Sequence, residues 1–155
     1  MKLLIKQRFF ALFDRYDVYN EDEEKVYTVK GQLALAHCLK IYDARGQKVG
    51  TVKQQLFTHS FDIYLGHAYI GCVDREPSFL RPKYYFDYNG WQTSGDVLGL
   101  NYQIIDCSCS FIAHISRERW HCTDTYVINL TNPTDTLCAL MLALAIDADK
   151  CSKSN

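Results

Sequence analysis

The chain has almost no charge imbalance: 17 Lys and Arg against 18 Asp and Glu leave a formal net charge of −1. Such a chain has no global field with which to recruit nucleic acid or an anionic membrane. No basic stripe with interleaved aromatics stands out either, so no nucleic-acid partner is expected. Proline is scarce, at three in 155 residues, and no linker or low-complexity stretch divides the chain. One domain over 1–155 is therefore expected, with strands in 1–130, a helix over about 133–149 and a short polar tail at 150–155. The opening Met1-Lys-Leu-Leu-Ile-Lys6 offers three apolar residues before the next charge. A secretory signal needs a longer apolar run and a small-residue cleavage site, so a cytoplasmic location is expected. No CxxC pair occurs among the seven cysteines, which excludes the common zinc frameworks.

What is present is apolar and aromatic. Hydrophobic residues make up 48% of the chain, and eleven Tyr and eight Phe favour strands. Near the end, from Leu137 to Ile146, all ten residues are apolar, with no polar face at helical spacing. A helix apolar all round is buried on every side. Asn132, Thr134 and Asp135 are candidates to cap it, and Pro133 suits its first turn. At ~15 residues it reaches about 22 Å, short of the ~30 Å hydrocarbon core of a bilayer. Its wrapping is therefore expected to be protein, with no transmembrane segment. Cys138 inside this run reads as a small buried hydrophobe, and the other thiols as reduced.

Upstream, short alternating runs are separated by turn residues. They include Tyr16–Tyr19 and Val26–Lys30 around the acidic turn Asn20–Glu24, and Cys38–Tyr42 and Val49–Lys53 around Asp43–Gln47. Tyr84–Tyr88 and Trp91–Ser94 meet through Asn89-Gly90, a strong hairpin signal. About twelve strands follow from this spacing. Part of the pattern repeats. Tyr27–Gly31, Leu39–Asp43, Val49–Val52 and Phe61–Leu65 match, in order, Trp91–Gly95, Tyr102–Asp106, Ile112–Ile115 and Tyr126–Leu130. The second copy departs at its turn, where Cys107-Ser-Cys-Ser110 replaces a Gly-bearing loop. Two similar half-sheets can close on each other. The expected fold is thus mainly β: a closed antiparallel barrel of about twelve strands around a central hydrophobic C-terminal helix.

Met1–Gln7, Leu39–Asp43, Arg81-Pro-Lys-Tyr84 and the ending Leu142-Ala-Leu-Ala-Ile-Asp147 resemble the LURP-one-related family over essentially the whole chain. The resemblance implies a tubby C-terminal-like fold, related to phospholipid scramblases, with a twelve-stranded barrel around a buried helix. The short length is similar to that of the family's bacterial members, which have no established reaction. Tubby proteins bind phosphoinositides through a basic pocket, but its paired basic residues have no matching positions here.

Three constellations could carry chemistry. Cys107, Cys109, His114, His121 and Cys122 are the clustered soft ligands, and zinc wants four such groups converging tetrahedrally. Turn cysteines and surface histidines are the simpler account, so no metal and no cofactor is expected. A thiol nucleophile needs a base within hydrogen-bond reach, and no local signature selects one pair from seven Cys and five His. Lys53, Arg75 and Arg117 each follow a strand core, Arg119 shares a face with Arg117, and Arg81 and Lys83 flank Pro82. At one barrel rim they would hold a phosphate or an anionic headgroup. Against this, Asp74, Glu76 and Glu118 are interleaved, and cross-strand ion pairs on a solvated face account for such a pattern. The expectation is a non-enzymatic binding or scaffold module, with Lys53, Arg75, Arg117 and Arg119 contacting an anionic lipid or protein partner. The alternative is an enzyme or small-molecule carrier with a rim pocket. A monomer is compatible with either.

Overall fold

The computed structural model describes residues 1–6, 15–32, 35–78, 80–120 and 123–151, except for the side chains of residues 119, 120, 123 and 124. The strands are β1 (Lys2–Ile5), β2 (Arg15–Tyr19), β3 (Lys25–Gln32), β4 (Cys38–Asp43), β5 (Lys48–Gln54) and β6 (Phe61–Leu65). They continue as β7 (Ala68–Glu76), β8 (Lys83–Phe86), β9 (Trp91–Asp96), β10 (Asn101–Ile105), β11 (Phe111–Trp120) and β12 (Thr123–Leu130). One 3₁₀ turn, Pro133–Asp135, leads into the helix α1 (Thr136–Cys151).

The twelve strands form a closed antiparallel barrel in which each pairs with its sequence neighbours and β1 pairs with β12. Closure removes sheet edges. It is sealed where the Met1 amino group donates to the Leu130 carbonyl at 3.3 Å and the Leu130 amide donates to the Met1 carbonyl at 2.8 Å. The segments that repeat in sequence lie six strands apart: β3 with β9, β4 with β10, β5 with β11 and β6 with β12.

Three turns use one device. In Asn20–Glu24, Asp43–Gln47 and Asp106–Ser110, the first side chain accepts the backbone N–H groups two and four residues on, at 2.8–3.0 Å. The fourth residue of each takes positive φ: Glu23 at 60°, Gly46 at 79° and Cys109 at 61°. Cys109 therefore occupies the left-handed position that glycine fills in the first copy of the repeat, at a cost of about 1–2 kcal/mol for a residue with a Cβ.

α1 runs along the barrel axis. Ala139 through Ala148, apart from Asp147, form one cluster with inward side chains such as Leu3, Val29, Ile41, Phe61, Ile63, Phe86, Ile104 and Ile115. The strands enclose it as the all-apolar run demands. Asn132 caps the preceding turn by accepting the Thr134 N–H at 3.1 Å, with Pro133 in the first helical position. Strand β5 comes closest to the helix: a Cβ on Gly50 would sit 2.9 Å from Met141 Sδ. Glycine there lets sheet and helix meet without a side chain between them.

Candidate functional site

Because strands alternate in direction, odd-numbered strands all end at the rim where α1 ends, here the exit rim. The tight turns Asn20–Glu24, Asp43–Gln47 and Asp106–Ser110 lie at the opposite, start rim, with Met1 and the beginning of α1. The two rims differ in charge. The start rim holds Glu21, Asp22, Glu23, Glu24, Asp43 and Asp106 in these turns against one cation, Arg45. The exit rim holds the cations singled out by the sequence.

Lys53, near the end of β5, is exposed; Asp62 lies opposite it in register, but its carboxylate accepts the Gln55 side-chain amide at 2.8 Å. Arg117, near the end of β11, is exposed opposite Tyr126. The Arg119 backbone lies on the same strand, opposite Asp124. Arg81 and Lys83, on either side of the buried Pro82, are exposed. Among the described residues Lys53, Arg81 and Lys83 have no ion pair. The interleaved acids are otherwise engaged: Asp74 accepts from Ser60 at 2.5 Å and Glu118 from Ser116 at 3.0 Å.

Arg75 behaves differently. It shares a face with buried Val73, turns into the barrel, and its Nη1 lies 3.6 Å from Asp149 Oδ2. Asp149, on the last turn of α1, is fully buried. It accepts the Tyr84 hydroxyl at 2.6 Å and faces His59 Nδ1 at 2.5 Å. A buried carboxylate must be paired or protonated, and here β6's preceding loop, β7 and β8 each send one partner. Burial, then the bond to Asp149, pushes the Tyr84 phenol well above its ordinary range. His37 is pulled down by burial and drawn back up by Asp149.

On the other side of α1, Asp147 is buried, and that burial raises its pKa from 3.8 to about 7 against the opposing pull of Lys150. Tyr16, Tyr102 and Tyr126 surround it, their phenols raised first by burial and then by neighbouring charge. Among the described residues the Tyr102 hydroxyl is buried with no hydrogen-bond partner. Lys150 donates to the Val97 and Leu98 carbonyls at 3.1 and 3.4 Å, tying the end of α1 to the β9–β10 turn.

Among the described residues the soft ligands do not converge. Cys107 and Cys109 sit exposed in a start-rim turn, and His114, further along β11, bonds Asn101 at 2.7 Å. His121 and Cys122 lie outside the described residues. Among the described residues no group of three His, Cys, Asp or Glu could hold a metal. Burial, then Asp74, pushes the Cys72 thiol up to about 12. A concavity of about 380 Å³ opens at the exit rim between Leu80, Arg81, Pro82 and the Asp96–Leu98 turn. A second, of about 340 Å³, lies at the start rim beside Met1, Tyr27 and Arg45. No helix among the described residues is long and apolar enough to cross a membrane.

The sequence did not point to His59, Tyr84 or Asp149 as a cluster. A usable signal existed, since two aspartates close an otherwise apolar helix and each requires a partner from the wall.

A family model described as LURP-one-related matches residues 1–147. The uncharacterised protein YxjI of Bacillus subtilis is 23% identical over 150 residues, covering 95% of this chain and 92% of that relative. A solved protein from Arabidopsis thaliana superposes with a TM-score of 0.63 at 12% identity, covering 92% of this chain and 88% of that one, which shows a shared fold.

Proposed function

The chain belongs to the LURP-one-related family, and on that footing we propose that it is a non-enzymatic binding module whose exit rim takes anionic groups. The observation that supports this most is the separation of charge between the rims. Alternating strands collect Lys53, Arg117 and Arg119 at one end, with Arg81 and Lys83 beside them, while the tight turns at the opposite end are mainly acidic. With a net charge of −1 such a molecule has no monopole attraction to an anionic surface, but it has a preferred orientation toward one. The interior is filled by α1, so contact is made at the rim. Arg75 takes a supporting role, since its guanidinium faces Asp149 and holds the end of the helix against β7.

The ligand chemistry is phosphate, carried by a lipid headgroup or by a phosphorylated partner. Co-sedimentation with phosphatidylglycerol-containing vesicles against neutral vesicles, at low and moderate salt, separates the two sources. Binding should weaken with salt and fall in a Lys53→Ala/Arg117→Ala/Arg119→Ala variant. Equal recovery in the supernatant under every condition removes the lipid source and leaves a phosphorylated protein, sought by pull-down. Loss of both refutes the rim as a binding face.

One observation favours a second reading, an acid–base enzyme. His59 pairs through Nδ1 with a fully buried carboxylate while its ring is 56% exposed. That arrangement orients Nε2 toward solvent as a base would be oriented. The thiol on neighbouring β7, Cys72, is buried and pushed up to about 12, which favours the binding module.

A further inference from the structure

We propose that the exit rim docks on an anionic lipid bilayer by burying the apolar tips of its loops among the headgroups. This rests on the reading of that rim as the binding face, and names the lipid surface as its partner. Four exit-rim connections each present a large apolar side chain to solvent: Leu35 is 96% exposed, Phe57 102%, Leu80 88% and Leu98 56%. They come from the β3–β4, β5–β6, β7–β8 and β9–β10 connections, which are spread around the barrel mouth. The start rim has no tips as exposed as Leu35, Phe57 and Leu80. Its turns are built mainly from Asn, Asp, Glu, Gly and Ser, and the large side chains exposed there, Met1 at 37%, Phe111 at 44%, Tyr88 at 51% and Tyr69 at 57%, keep a larger share of their surface covered.

Phe57 carries the inference furthest. Its φ of 60° lies in the left-handed region, which a bulky residue rarely adopts and glycine would occupy without strain. The turn that imposes this is pinned at its base. The Thr58 N–H donates to the Gln55 carbonyl at 3.3 Å, the Gln55 N–H to the Ser60 carbonyl at 2.9 Å, and the Gln54 side-chain amide to the Thr58 carbonyl at 3.0 Å. A rigid loop thus holds a phenyl ring in water, where it packs against nothing and loses little further freedom on insertion.

The arrangement suits a bilayer better than a protein. Side chains on separate loops do not make the contiguous patch that a protein interface buries, whereas fluid lipid accepts each one singly. The cations beside them suit anionic headgroups: Lys53 lies next to the Phe57 loop, and Arg81 and Lys83 next to Leu80. Apolar insertion and local electrostatic attraction are the two signals by which an interfacial protein holds a membrane.

The test uses the full chain and vesicles of phosphatidylcholine with phosphatidylglycerol, with and without brominated acyl chains. Trp introduced by Phe57→Trp should be quenched by bromolipid beyond the signal of the native tryptophans. The charge-preserving Phe57→Ser/Leu80→Ser variant should bind about tenfold more weakly, with the loss persisting at high salt. Sedimentation of the unaltered chain without extra quenching of Phe57→Trp overturns insertion while leaving the electrostatic rim intact. Absence of sedimentation overturns the proposal and, with it, the lipid source, leaving the rim reading to a phosphorylated protein partner. A mass by light scattering that doubles with concentration, and reverts in the Ser variant, would instead assign the tips to a second copy of this chain and overturn the proposal.

Discussion

Replacing Asp147 by Asn removes a charge that the barrel interior disfavours, and the consequence depends on pH in a calculable way. Burial raises the Asp147 pKa from 3.8 to about 7. The folded chain therefore holds this proton more tightly than the unfolded chain. Stability from this group is greatest at low pH and is lost as pH climbs from about 4 through about 7. At ~1.4 kcal/mol per pH unit, the full loss is about 4 kcal/mol once Asp147 is ionised. Between pH 5 and 8.5 the portion that operates is about 2–3 kcal/mol. The groups facing Asp147 are Lys150 and Cys151 on α1, Tyr16 from β2, Tyr102 from β10 and Tyr126 from β12. Lys150 faces it with opposite sign, and its attraction already opposes the rise, while burial pulls the Lys150 ammonium itself down from its ordinary range. Urea unfolding of the parent and Asp147→Asn at pH 5 and 8.5 measures the effect. The variant should gain about 2–3 kcal/mol relative to the parent on going from the lower to the higher pH. A difference between the two proteins that stays constant across pH would refute the assignment of a buried, proton-retaining carboxyl at this position.

Leu140→Ala should cost about 2–5 kcal/mol in urea unfolding, because Leu140 is wholly enclosed on the barrel axis. Leu140→Asp buries an unpaired charge there and should abolish soluble accumulation; an unchanged melting temperature would contradict the axial placement. Tyr84→Phe removes a hydrogen bond to the Asp149 carboxylate and should lower stability by about 1.5–3 kcal/mol at neutral pH, read from the denaturation midpoint. Cys109→Gly relieves a left-handed residue and should raise stability by about 1 kcal/mol, with no gain if that turn is not strained. Alkylation at pH 8 followed by mass mapping should modify exposed Cys107 and Cys109 well before Cys72, whose thiol is pushed up to about 12; early modification of Cys72 would show that its site is open.

Much of the architecture was legible because local and global demands coincide. Ten apolar residues without a polar face leave a single-chain protein one solution, enclosure by everything else. A repeat whose segments alternate apolar and polar residues supplies two half-sheets to do the enclosing. The turns were legible for the same reason: Asn20, Asp43 and Asp106 each begin a turn whose amides their own side chain accepts, a contact within four residues. Boundaries were less so. β11 runs on to Trp120 rather than stopping near Ile115, and α1 begins at Thr136 after a 3₁₀ turn over Pro133–Asp135, because strand ends are set by pairing with a neighbour and helix starts by capping.

What the chain by itself determined is therefore the set of elements, the filled barrel and the grouping of strand-end cations on strands of one direction. Which way each cation faces was decided only by the tertiary structure. Lys53 and Arg75 look alike in sequence, yet Lys53 lies in water and Arg75 enters the barrel to meet Asp149. The same holds for the cluster around that carboxylate, where His59 and Tyr84 are 90 and 65 residues from Asp149 along the chain. Periodicity carries information over a few residues, while a buried charge is satisfied by whichever wall segments closure brings beside it. That closure depends on the register of every strand around the barrel at once, and no local stretch encodes it.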